Sequence, residues 1–106
     1  MIIVSVVKDN DNRIKSVTMS GHSGYDEIGK DIVCSSASTL IFHTINLLES
    51  FNCDFEYVKK DEEPLISIII RSHSDTSDVL MNVLVKDLND VSKGYKKFIN
   101  IKEIRR

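Results

Sequence analysis

Short β-branched runs and long runs with apolar residues every three or four positions succeed one another along this chain. Their order constrains the fold more than any other feature, because the two spacings bury different surfaces. Met1 to Lys8 is rich in Ile and Val, which favours a strand. Asp9-Asn10-Asp11-Asn12 is a turn signal, since Asn and Asp bond their own main chain and tolerate left-handed backbone angles. Arg13 to Ser20 then alternates around Ile14, Val17 and Met19, as a hairpin partner with one buried face would. Gly21 to Lys30, glycine-containing and polar, reads as a loop.

From Ile32 to Phe51 the spacing turns helical. Val33, Ala37, Leu40, Thr44, Leu47 and Phe51 form a stripe flanked by Ile41, Ile45 and Leu48. Asp54 to Lys60 and Leu65 to Arg71 read as a second hairpin around Asp61-Glu62-Glu63-Pro64, a turn that tolerates the fixed φ of proline. Ser74 to Val91 reads as a second helix with Val79, Leu80, Val83, Leu84, Leu88 and Val91 on its apolar side. Gly94 closes that region, and Phe98 to Ile104 is the expected last strand. The order ββαββαβ predicts one α+β domain over residues 1–106, an antiparallel sheet packed with two helices.

A chain of 106 residues with 42% hydrophobic content suits one modest core. A formal net charge of -2 gives no bulk attraction to nucleic acid or to membrane surfaces. No apolar run approaches the roughly 20 residues that span a bilayer. The N-terminus lacks the basic region and small-residue cleavage site of a signal peptide. Cys34 and Cys53 are the two cysteines, fewer than a small secreted scaffold carries. The expectation is a cytoplasmic setting with free thiols.

The residues that carry chemistry lie between Gly21 and Ser38. His22 and Cys34 flank the short polar loop, and the cysteine stands where the helix is expected to open. A thiol attacks carbon as its thiolate, which a helix N-terminus stabilises. A nearby imidazole can accept and return the proton. On a helical wheel Cys34 falls at the flank of the apolar stripe, packed on one side and reachable on the other, with Ser38 one turn along. Asp31 is placed either to cap the helix or to orient His22. Ser38 either donates to the sulfur or bonds back to a helix carbonyl. The amides of Cys34 and Ser35 are the candidate donors for an oxyanion.

The segment Gly21-His22-Ser23, Gly29, then Asp31-Ile32-Val33-Cys34-Ser35-Ser36-Ala37-Ser38 resembles the signature of the ribosomal-processing cysteine protease (Prp) family. The resemblance extends over the whole chain in length and element order. It implies that Cys34 is the nucleophile and His22 its base, that Asp31 and Ser38 support them, and that Gly21 and Gly29 bracket the substrate-binding loop. It further implies a homodimer whose substrate is the N-terminal extension of a large-subunit ribosomal protein, with no cofactor. Ser23, Ser35 and Ser36 stand where that family often has alanine, and Ile28 where it often has an aromatic.

Two other functions compete with an endopeptidase. A non-catalytic ribosome-associated module would hold an extended peptide in the same cleft and tolerate serine or alanine at position 34. A redox or metal-sensing domain would need Cys34 and Cys53 to meet, although most of a helix separates them. The remaining candidates have structural readings. His43 falls on the polar side of the first helix, His73 precedes the second, and Cys53 is a half-buried filler. Phe42 projects away from the apolar stripe and is a candidate subunit contact, while Lys102, Arg105 and Arg106 read as a solvated tail.

Overall fold

Five strands and two helices follow one another as β1 (Ile2–Lys8), β2 (Ile14–Ser20), α1 (Ile28–Ser50), β3 (Asp54–Lys60), β4 (Leu65–Ser72), α2 (Asp75–Gly94) and β5 (Ile99–Arg105). This is a computed structural model, and the residues it describes are 1–21, 28–61 and 65–106, with the backbone alone for 28–31. The order is the expected ββαββαβ. Glu62, Glu63 and Pro64 of the second turn lie outside the described residues.

The sheet order is β3-β4-β2-β1-β5. Contrary to the all-antiparallel expectation, the sheet is mixed, because β5 pairs with β1 in parallel, from Ile2 opposite Ile99 to Lys8 opposite Arg105. Connectivity accounts for this. The β1–β2 and β2–β4 pairs are antiparallel, so β4 runs in the direction of β1. Helix α2 then carries the chain back across the sheet, and a strand after such a crossover runs parallel to the one before it. α1 makes the same kind of crossover from β2 to β3, which pairs with β4 on its outer side.

One face of the sheet is the core. Val4, Val6, Val17, Met19, Ile66, Ile68 and Ile70 alternate with residues that face away from the helices, and they form the buried core with both helices. The first turn forms as its residues dictate, with Asn12 at φ 65° and the Asp9 carboxylate accepting from the amides of Asp11 and Arg13. The Arg13 amide holds the Asp9 carboxyl below its ordinary range against the opposing effect of desolvation. The Asp11 amide and the charges of Arg13 and His73 add to that lowering. His73 Nδ1 lies 2.9 Å from Asp78 Oδ1 and its Nε2 lies 3.9 Å from Asp9 Oδ2, which ties the entrance of α2 to this turn. α2 itself opens on a capping box, in which Ser74 and Ser77 each accept from the other's amide at 3.0 Å.

Five further expectations need correction. α1 begins at Ile28, four residues before the helical spacing becomes legible. Its buried ridge is Val33, Ala37, Ile41, Thr44, Ile45 and Leu48, and the Thr44 hydroxyl is satisfied by donating to the Leu40 carbonyl at 2.9 Å. Phe51 is 60% exposed, so the stripe is turned from the one the sequence suggests. In α2 the buried residues are Ser77, Met81, Leu84, Val85 and Leu88, and Val79 and Val83 face solvent. β5 extends to Arg105, whose guanidinium bonds the Asp9 carbonyl and Asn12 Oδ1, so Arg105 is part of the sheet and not a free tail. The stretch Ile32–Ser50 is also apolar and long enough to cross a membrane by length and composition, contrary to the sequence reading. Here its apolar ridge is the part that packs on the sheet.

Truncating Ile41, fully buried in α1, to alanine is expected to lower the unfolding free energy by about 2–5 kcal/mol. Phe51→Ala is expected to stay within about 0.5 kcal/mol of wild type. Urea denaturation measures both, and equal losses would contradict the ridge described above.

Candidate active site

Residues of α1 spaced by four stand one above another along the helix. The Val33–Ala37–Ile41–Ile45 row points into the core. The next row, Cys34–Ser38–Phe42, rises at the edge of the helix over the ends of β2, β3 and β4. There it lines a cavity of about 210 Å³. Met19 and Gly21 close one side from β2, and Leu65 and Ile66 form the floor from β4. Lys59, Lys60 and Asp61 form the far wall at the end of β3.

Cys34 is half-buried, packs against the core on one side, and carries a free thiol that faces this cavity. That matches the placement expected from the helical wheel. Its position along the helix does not. The unpaired amides of α1 belong to its first four residues, whereas Cys34 is six residues beyond Ile28, about 9 Å along the axis. A continuous helix from Ile28 engages the amides of Cys34 and Ser35 with carbonyls one turn back. They are therefore not free to bind an oxyanion, and the dipole's charge is concentrated before the cysteine is reached.

His22 lies outside the described residues, as does the side chain of Asp31. By backbone, Gly29 and Asp31 fall in the first turn of α1 and not in a loop. Gly21 is the last described residue before His22 and has φ +112°, a conformation that L side chains rarely adopt. A Cβ there would stand 2.5 Å from the Met1 carbonyl oxygen. Glycine at this position therefore lets the chain leave β2 close to the start of β1, directly ahead of the histidine.

Cys53 is free and half-buried at the far end of α1, so the pair does not form a redox site within one chain. Among the described residues no three His, Cys, Asp or Glu side chains gather as metal ligands would.

Phe42 corrects another expectation. It lines the Cys34 cavity, with the Lys59 ammonium 5.7 Å from its ring centroid, and is not simply a surface residue turned away from the core. The four-residue spacing of Cys34, Ser38 and Phe42 is visible in the sequence and would have placed the ring on the thiol's side of α1. Lys59, Lys60 and Asp61 left no such signal, because they reach the cavity only through the pairing of β3 with β4.

A protein-family model described as cysteine protease Prp matches residues 1–100. The ribosomal processing cysteine protease Prp of Staphylococcus aureus is 22% identical over 103 residues, covering 95% of this chain and 97% of that protein. SMU.848 from Streptococcus mutans superposes with a TM-score of 0.87 at 21% identity, over 100% of this chain and 96% of that one. The Staphylococcus aureus Prp in complex with a covalently linked product peptide gives a TM-score of 0.86 at 22% identity, over 97% and 99% of the two chains. These solved structures share the five-stranded sheet and two helices.

Replacing Gly21 by alanine is expected to destabilise the fold by about 1–3 kcal/mol through the positive φ and the contact with Met1. Ser20→Ala, one residue earlier, is expected to stay within about 0.5 kcal/mol. Thermal unfolding of both variants decides the point, and a wild-type midpoint for Gly21→Ala would contradict it.

Proposed function

The chain belongs to the Prp family of cysteine proteases, and from that premise we propose that it is a cytoplasmic endopeptidase that removes the N-terminal extension of a large-subunit ribosomal protein. Cys34 is the nucleophile and His22 its base. The observation that carries this reading is the placement of Cys34, a free thiol packed on one side and open on the other to a cavity between a helix edge and the ends of three strands. Such a cavity admits an extended segment of backbone. The Staphylococcus aureus relative is named for ribosomal processing, and its structure holds a covalently linked product peptide, which supports a peptide as the ligand here.

In the proposed mechanism His22 takes the thiol proton and the Cys34 sulfur adds to the scissile carbonyl carbon. The tetrahedral adduct collapses, His22 returns the proton to the leaving amine, and a thioester remains on Cys34. Water, deprotonated by His22, then hydrolyses the thioester and frees the thiol. Ser38 lines the cavity one turn beyond the sulfur and supports it from the same helix edge. No step calls for a cofactor.

The same reading includes a homodimer. The sheet face opposite the helices supports it. At its centre, on β1, β2 and β4, that face carries Ile3, Ser5, Val7, Ser16, Thr18, Ser20, Leu65, Ser67 and Ile69, none of them charged. Thr18 and Ser67 bond each other at 2.7 Å, and the charged residues stand around this centre, Arg71 towards the end of β4 and Glu56, Lys60 and Lys102 on the outer strands. An uncharged centre with a charged rim meets its own copy across a two-fold axis without repulsion.

Cleavage of a peptide spanning the ribosomal extension tests the enzyme. Wild type is expected to cut one bond, Cys34→Ala to show no detectable turnover, and His22→Ala to be slower by roughly 10²–10⁴-fold. Turnover by Cys34→Ala would remove it as nucleophile. Peptide binding without cleavage would favour a peptide-binding module. For the dimer, sedimentation is expected to give two copies for wild type and one for Ser5→Lys, which places like charges across the axis. An unchanged dimer in the variant would exclude this face.

A further inference from the structure

The two-helix layer carries an apolar row that its packing on the sheet leaves bare. Asp75, Val79, Val83 and Asp87 of α2 are spaced by four and stand one above another on the helix surface. Val79 is 60% exposed and Val83 49%, while the core takes Met81, Leu84, Val85 and Leu88 from the same helix. Phe51, just past the last turn of α1, is a third exposed apolar side chain. Phe51, Asp75, Thr76, Val79 and Leu80 line a cavity of about 320 Å³ between the end of α1 and the start of α2. Leu80 packs against the core, which gives that cavity a fixed apolar floor. Single exposed apolar residues are ordinary at a surface. Gathered around one cavity they form the kind of patch that a partner covers.

Charge sets the chemistry of that partner. A carboxylate closes each end of the row, and among the described residues neither Asp75 nor Asp87 has an ion-pair partner. The other charged groups of α2 do, with Asp78 2.9 Å from His73 and Asp90 drawing in Lys86 at 3.8 Å and Lys93 at 4.0 Å. The two bracketing carboxylates are twelve positions apart, about 18 Å along the helix. A second copy docked here across a two-fold axis would set carboxylate against carboxylate. A segment with apolar residues between two Lys or Arg side chains meets the row without repulsion. A protein that binds ribosomal RNA carries such cations to neutralise phosphate.

We propose that the Asp75–Val79–Val83–Asp87 row, with the Phe51 ring beside it, is a docking surface for a basic segment of the ribosomal protein beyond the extension that is removed. The identity of the partner rests on the protease reading. Cys34 and Phe51 are seventeen positions apart along α1, about 25 Å. A chain extended at about 3.3 Å per residue crosses that distance in about eight residues. The Phe51 cavity is therefore beyond the residues next to the cleaved bond and within reach of the body of the protein. Docking there raises the affinity for the whole precursor and leaves a short peptide unaffected.

The mature ribosomal protein, which lacks the extension presented to Cys34, separates this inference from the protease reading. Its labelled form is titrated with Cys34→Ala protein, and binding is read by fluorescence anisotropy at about 50 mM and about 200 mM salt. Binding is expected to weaken as salt rises. Val79→Ser combined with Val83→Ser is expected to weaken it about tenfold, and Asp75→Asn combined with Asp87→Asn about two- to fivefold. Neither variant removes a core contact, so thermal midpoints are expected to stay near wild type. No binding, or binding unchanged by either variant, overturns the proposal. Sedimentation of the valine variant is expected to match wild type, and loss of a dimer would assign the row to a second copy instead. Cleavage of the whole precursor and of a short peptide is read in parallel, with KM expected to rise about tenfold in the valine variant for the precursor alone. Row-dependent binding of the mature protein without any cleavage sinks the protease reading and leaves the docking surface standing.

Discussion

Burial of the Val33–Ala37–Ile41–Ile45 ridge against the sheet is the contact on which the rest of the molecule depends. These residues and their strand partners are almost fully shielded from water, and each of the Val and Ile side chains contributes roughly 1.5–3 kcal/mol by leaving it. The ridge fixes the rotation of α1 about its own axis. Once that rotation is set, the neighbouring row has one place to go. Cys34, Ser38 and Phe42 must stand at the helix edge, above the ends of β2, β3 and β4.

The crossovers supply the other half of the site. α1 returns the chain to a strand outside β4, so β3 becomes an edge of the sheet and its end lies beside the helix edge. The second crossover sends β5 to the opposite edge, where it pairs in parallel with β1. Both helices therefore cover one face, and the cavity opens at the side where α1 overhangs β3. Gly21 belongs to the same construction, because its positive φ lets β2 end against the start of β1 just before His22. The end of β2 and the cavity of the Cys34 thiol thus share one corner of the fold.

The placement of Cys34 was legible from its own helix. The flanking position of Cys34 on its helix followed from a wheel, and the structure keeps it half-buried and facing a cavity. The start of α1 was not legible, since Ile28 to Asp31 contains a glycine and two charged residues and no apolar spacing. That difference moves the cysteine away from the helix terminus and removes its amide as an oxyanion donor. Of the expected apolar rows, Val33, Ala37, Thr44, Leu84 and Leu88 are buried, whereas Phe51, Val79 and Val83 face solvent and Met81 and Val85 were not among the expected core residues. Leu40, Leu47 and Phe51 match the helical period as well as Ile41 and Ile45 do, and only packing chooses between two rows of similar hydrophobicity.

The sequence by itself determined the element order and the two hairpins, and it marked a histidine and a cysteine flanking a glycine-bracketed segment as candidates for the chemistry. Those features are local, set by backbone preference and by side-chain spacing over a few residues. The tertiary structure decided the parallel pairing of β5, the row of α1 that is buried and the residues facing the thiol from other strands. Lys59 lies 25 positions from Cys34 and shares a cavity with it only because a crossover and a strand pairing bring them together. Contacts of that kind depend on connectivity and on burying one common face, and no short window of sequence contains either.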